Sequence, residues 1–285
     1  MKKFAILGDT SGDFDFELAK KYDVYLMSYC ITLNQQNYKD LIDISSKEIY
    51  QEMYKGDVDF KTAVPSVNEG IRFLEKIKND GYEKVLMITS SIKLTGMANM
   101  MEIAKANFPD MKIEIIDGTS CGMGTGIQWI YASMLRDEGL TMEEVAEKIR
   151  DNLHNLKVMA LLRTFKYVVK SGRISHFKGR IGQLLRIYPI ITGEDGKVVV
   201  KEKLRGKKQS LYRLADGIRE FLVDKNNYLM SIFTADNEEE KMILHDLLSK
   251  EISQAKLYLE TELTSVLGGH VGPKTIGVAV YLLPE

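Results

Sequence analysis

Through the first half of the chain, an apolar run of strand length repeatedly stops at glycines and hydroxyls and gives way to a helical pattern. Few architectures accept that alternation. Residues 4–7 run into Gly8-Asp9-Thr10-Ser11-Gly12-Asp13 and a helical stretch at 15–22. Residues 84–89 run into Ser90-Ser91-Ile92-Lys93-Leu94-Thr95-Gly96 and a helix at 97–107, and residues 112–117 lead through a Gly118 to Gly126 loop into a helix at 126–138. Repeated strand, turn and helix units predict a mainly parallel sheet covered on both faces. The same half predicts a strand at 24–31 and helices at 46–55 and 66–80, the last opened by the capping box Ser66-Val67-Asn68-Glu69.

The second half reads differently. A helix at 139–153, capped by Thr141 with Glu144 in the capping-box position, leads to a strand at 158–162. Helical turns follow at 164–171, stopped by Gly172, and at 180–185; strands at 188–192 and 197–204 join through Glu194-Asp195-Gly196, a hairpin turn tolerant of positive backbone angles. Helices at 210–222 and 238–250 and strands at 229–234, 254–259 and 276–282 complete a mixed α+β pattern. The expected fold class is therefore α/β in two domains: residues 1–155 with a mainly parallel sheet, and residues 156–285 of mixed α+β type.

Ligands of open α/β sheets bind outside the carboxyl ends of the strands. The loops at those ends are rich in hydroxyls and glycines, and each precedes a helix whose amides and dipole favour an anion. Thr95 and Ser120 equally suit plain helix caps. His270 lies in Leu267-Gly268-Gly269-His270-Val271-Gly272-Pro273, expected as a glycine-rich turn. It is either a solvated loop or an anion site, with an imidazole able to become cationic near neutral pH.

Hydrophobic residues at 45% and charged residues at 28% fit a soluble globular chain. The lead Met1-Lys2-Lys3 precedes too short an apolar run for a signal peptide, no stretch is long enough to span a bilayer, and a cytoplasmic protein without stable membrane insertion is expected. Cys30 and Cys121 lack zinc-ligand or redox spacing, so no metal is expected. The net charge of -1 hides a basic segment: residues 157–213 carry fifteen Lys and Arg against three acids, leaving -13 for the rest. Such a segment is a solvated face or steers an acidic partner. Nucleic acid is disfavoured, because aromatics are sparse there and no recognition motif is present.

Taken together, these residues resemble the DegV family, which includes the fatty-acid-binding FakB subunits of bacterial fatty acid kinase. The resemblance rests on the loops already quoted and on Phe60-Lys61-Thr62-Ala63-Val64-Pro65-Ser66, Ile116-Asp117, Met123-Gly124-Thr125-Gly126, Lys170-Ser171-Gly172-Arg173-Ile174, Tyr188-Pro189-Ile190, Arg205-Gly206-Lys207-Lys208 and Gly269-His270-Val271-Gly272-Pro273. It implies two α/β domains holding one long-chain fatty acid between them, with no cofactor and no catalysis by the chain itself. It further implies that Thr62, Ser91 and His270 hydrogen-bond the carboxylate, with Ser90, Thr95, Gly96 and Arg173 beside them. Arg205 and Lys207 would then face an ATP-dependent fatty acid kinase subunit.

Physical chemistry makes that ligand sensible. A buried carboxylate needs its acceptor sites filled, and hydrogen bonds to a charged group contribute about 1.5–3 kcal/mol each. Each methylene withdrawn from water adds about 0.8 kcal/mol. The 14 methionines would either line an adaptable tunnel or fill the core. The chain departs from the family pattern at Gly8-Asp9-Thr10, at Gly122 and at Thr95-Gly96-Met97, where Met97, Met100 and Met101 would narrow the head-group pocket. The alternative is a hydrolase or transferase using a Ser/Thr-His site oriented by Asp9 or Asp117. Neither a Gly-x-Ser-x-Gly elbow nor a Gly-Lys-Ser/Thr phosphate loop supports it.

Overall fold

The computed structural model describes residues 4–174 and 187–284; the helical turn expected at 180–185 lies outside them. The first half runs β1 (Ala5–Asp9), α1 (Phe16–Lys21), β2 (Val24–Met27), β3 (Cys30–Leu33), β4 (Gln36–Lys39), α2 (Ser46–Lys55), β5 (Phe60–Ala63), α3 (Val67–Asn79), β6 (Lys84–Thr89), α4 (Met97–Lys105), β7 (Lys112–Asp117), α5 (Met123–Asp137) and α6 (Met142–Asn152). Strands β2-β1-β6-β7 form the expected all-parallel sheet. Ser66 and Thr141 close capping boxes with Glu69 and Glu144, as read from the sequence.

One expected strand is in fact two. Residues 24–31 divide at Ser28-Tyr29: β2 stays in the parallel sheet, while β3 enters a separate antiparallel sheet ordered β4-β3-β5. The polar strand β4, Gln-Asn-Tyr-Lys, and the short strand β5 gave no alternating apolar signal. The glycines after β1 serve packing. A Cβ on Gly8 or Gly12 would fall 2.6 or 2.0 Å from the Trp129 indole, which donates to the Ile88 carbonyl at 2.8 Å.

The second half runs β8 (Leu156–Leu161), α7 (Lys166–Lys170), β9 (Tyr188–Glu194), β10 (Lys197–Leu204), α8 (Lys207–Leu222), β11 (Tyr228–Thr234), α9 (Glu238–Leu247), α10 (Ser249–Gln254), β12 (Leu257–Glu262), α11 (Ser265–Val271) and β13 (Ile276–Leu282). Its six strands form one mixed sheet, β10-β9-β8-β13-β11-β12, in which only β11 and β12 pair in parallel. Asp195 (φ 48°) and Gly196 (φ 71°) make the expected hairpin turn. The single helix expected at 238–250 is instead α9 and α10, broken at Leu248 (φ -104°, ψ 15°), and the strand expected at 254–259 starts at Leu257.

Every strand of the parallel sheet precedes residue 155 and every strand of the mixed sheet follows it, yet the core is shared. Helix α5 is buried along nearly its whole length, packing on β1 and β6 and also on β8, β11 and β13. Helix α11 leaves the mixed sheet and settles on α2 and β5. Asp13 anchors it: one carboxylate oxygen accepts from the Thr264 amide at 3.1 Å, and the other from the Met123 amide at 3.1 Å.

Candidate functional site

The expected turn around His270 is helical. Residues 268–270 belong to α11, and only Gly272 just beyond it takes a positive φ (85°). Gly268 and Gly269 are there because neighbours press on the helix: a Cβ would meet the Tyr50 hydroxyl at 2.2 Å or the Phe60 ring at 2.1 Å. Alternation along β5 then sends Phe60 and Thr62 to the same face. Phe60 meets the imidazole edge-on at 5.3 Å, and Thr62 Oγ1 hydrogen-bonds His270 Nε2 at 2.9 Å.

Burial, helped by the Arg173 charge, pushes the His270 imidazole down to about 4, so it is neutral at pH 7 in the ligand-free protein. This corrects the expectation of a ring that charges near neutral pH. The neutral ring is still a donor to an anionic acceptor.

His270 and Thr62 form one wall of a chamber of about 630 Å³. Opposite them the strand-end loops supply Ser11, Ser90, Thr95 and Gly96, and Tyr29 enters from the link between β2 and β3. Ser90 Oγ lies 2.8 Å from Ser11 Oγ, which donates in turn to Asp9 Oδ1. Burial raises the Asp9 carboxyl to about 6, against the pull of those Ser11 bonds. The Tyr29 hydroxyl bonds Thr95 Oγ1 at 2.5 Å. Helix α4 follows Gly96, which brings no capping side chain; the Met97 amide donates to Thr95 Oγ1 at 3.3 Å, and the helix dipole adds to this polar end. Arg173 is exposed, lines the chamber and supplies a cation.

The structure thus gathers Thr62, Ser90, Thr95, Gly96, Arg173 and His270 around one space. Ser91 stands apart. Its Oγ accepts from the Lys93 amide at 3.2 Å and lies beside Gly196 in the hairpin turn, where a Cβ would sit 2.5 Å away. Arg205 and Lys207, exposed at the junction of β10 and α8, do not line the chamber. Lys207 pairs with Glu240 at 3.4 Å. Ser11 and Tyr29 escaped the sequence reading. Ser11 sat in a strand-end loop already singled out, whereas Tyr29 was hidden inside an apolar run read as one strand.

Beyond Leu94, Cys121, Ile191, Val198, Leu267 and Val271, which line both spaces, the chamber continues into an apolar slot of about 70 Å³. Val158 and Ala160 of β8 and Phe233 of β11 face into that slot from the mixed sheet. Among the described residues no methionine lines either space, and Met97, Met100 and Met101 are core residues of α4. The expected narrowing of the head pocket by these side chains is therefore not found. Burial pushes the Cys121 thiol up to about 12, which disfavours the thiolate.

A model of the DegV family matches residues 3–283. The chain belongs to the DegV family. Among DegV relatives, a DegV domain-containing protein of Clostridium acetobutylicum is 30% identical over 99% of both chains. A fatty-acid-binding DegV family protein of Thermus thermophilus superposes with a TM-score of 0.90 at 23% identity, covering 99% of this chain and 100% of the other. A DegV lipid-binding protein of Thermotoga maritima gives 0.87 at 25% identity over 99% of both. Among the described residues no helix is long and apolar enough to cross a membrane.

Proposed function

We propose that this chain binds one long-chain fatty acid, with the carboxylate in the chamber and the acyl tail directed into the slot, and that it presents the carboxylate to a separate ATP-dependent kinase subunit. The observation carrying this reading is the continuity of a hydroxyl-rich chamber, headed by the Thr62–His270 pair, with an apolar slot between the parallel and mixed sheets. The lipid bound by the Thermus and Thermotoga relatives supports it. On this reading residues 1–155 and 156–285 act as two units that both contribute to the chamber and to the slot. Thr62, Ser90, Thr95 and His270 fill the acceptor sites of the carboxylate, and Arg173 balances its charge. Ser91 acts one step away by holding the 90–96 loop.

The chain performs no turnover of its own. An imidazole pushed down to about 4 is a weak base at neutral pH, and among the described residues no carboxylate hydrogen-bonds it, which disfavours the Ser/Thr-His hydrolase reading. Arg205 makes no ion pair among the described residues and sits in the basic 157–213 segment, suited to an acidic docking face on the kinase. Arg205→Ala should abolish most ATP-dependent acyl phosphate formation with the kinase added while leaving fatty acid uptake unchanged. Equal loss of both would contradict the division of roles. The delipidated protein should also prefer a long-chain fatty acid to the alcohol of the same length, and equal uptake of the two would refute the carboxylate site.

A further inference from the structure

Strand β2 ends the parallel sheet, and among the described residues no strand pairs with its outer side. Open strand edges present unpaired N–H and C=O groups, and proteins normally blunt them with charge, proline or a bulge. The β2 sequence Val-Tyr-Leu-Met has no charge and no proline, and its register with β1 is regular. A groove of about 590 Å³ runs along this edge, floored by residues 24–28 and walled by α1 and α3. It shares no lining residue with the chamber.

Three further features mark the groove. Ser28, 9% exposed, lines it with a buried Oγ that has no hydrogen-bond partner. Such a hydroxyl is costly unless something satisfies it. Phe16 and Ile42 stand 43% and 64% exposed along its walls. Its ionic lining is Lys20, Lys39, Arg72 and Lys76 against Glu69, a formal +3. Lys39 is paired with Glu69, and among the described residues Lys20, Arg72 and Lys76 make no ion pair. The Lys76 ammonium lies 5.9 Å from both the Tyr25 and Phe73 ring centres.

We propose that this groove docks an extended, acidic segment of a partner protein, which adds to β2 as a further strand. Main-chain bonds to the edge would supply affinity, alternate side chains would seat against Phe16 and Ile42, and the cations would select acidic residues. A bilayer surface fits less well, because the strand edge is recessed between two helices.

The test uses the full chain, ¹⁵N-labelled, titrated with a short peptide alternating glutamate and valine, with its lysine–valine counterpart, and with phosphatidylglycerol vesicles. The acidic peptide should shift the amides of residues 24–28. The combined Arg72→Glu and Lys76→Glu variant should weaken that binding by about tenfold or more while fatty acid uptake stays unchanged. The proposal is overturned if those amides do not move, if the lysine peptide binds as well, or if the charge-reversed variant binds equally. It is also overturned if the vesicles or self-association of the chain, rather than the acidic peptide, perturb β2.

Discussion

At the chamber end the cavity is walled largely by strand-end loops and helix termini that bring hydroxyls, amides and an imidazole into one space, whereas at the slot end much of its wall is sheet face, where Val158, Ala160, Ile191, Val198 and Phe233 bring apolar side chains. Different physics governs the two. Hydrogen bonds in the chamber are directional and each contributes modestly, while burial in the slot is non-directional and scales with the area covered. Changes in the slot should therefore alter how tightly a fatty acid is held, and changes in the chamber should alter how its head group is oriented and how binding depends on pH.

The largest expected effect is at the slot. Ala160→Phe places a ring where the tail would lie, and displacing three or four methylenes at about 0.8 kcal/mol each predicts roughly a hundredfold loss of affinity, read by displacement of a fluorescent fatty acid. Folding should weaken by only about 1–3 kcal/mol from overpacking. Retained affinity would break the assignment of the tail to this slot.

At the chamber, His270→Ala removes a donor to a charged acceptor and should cost about 1.5–3 kcal/mol of binding. The same variant isolates a pH effect. His270 is pushed below its ordinary 6.5 to about 4, so its contribution to stability is complete above 6.5 and is lost as pH falls toward 4. Asp9 and Asp40, raised to about 6 by burial, act in the opposite sense, as does Asp13 at about 8: their contributions are complete below 3.8 and are lost as pH rises through those values. The stability difference between the wild type and His270→Ala, measured by denaturant unfolding of lipid-free protein, should therefore change steadily between pH 6.5 and 4. A flat difference would mean that the imidazole is not depressed. A bound carboxylate should move the imidazole titration upward, seen by NMR.

The smallest effects separate adjacent serines. Ser90→Ala should reduce binding by several-fold, because its hydroxyl lies in the chamber. Ser91→Ala should leave binding almost unchanged and cost about 1 kcal/mol of stability through the lost Lys93 amide bond. The reverse order would restore Ser91 as a direct ligand group.

The two ends of the cavity were not equally legible in the sequence. The strand-end loops were plain, because glycine and hydroxyl clusters after apolar runs mark strand-to-helix turns, but Ser90, Thr95 and Gly96 came from the family resemblance, since Thr95 by itself suits a plain helix cap. The capping boxes at Ser66 and Thr141 were equally readable, since both partners lie within four residues of each other. Tyr29 was not, because the strand switch at Ser28-Tyr29 is set by tertiary pairing and leaves the apolar run unbroken. The glycines beside His270 were misread for a related reason. Glycine marks either a turn or a close approach, and only the positions of Tyr50 and Phe60 distinguish the two. The slot was the least visible part, since Val158, Ala160 and Phe233 are ordinary strand residues until the mixed sheet turns them toward it.

The central claim is that one fatty acid spans both ends. Native mass spectrometry of the purified chain, followed by lipid extraction, tests it most directly. The account predicts one long-chain fatty acid per chain, with occupancy strongly reduced in Ala160→Phe and reduced less in His270→Ala. A chain that carries no fatty acid and takes up none when one is supplied would contradict it.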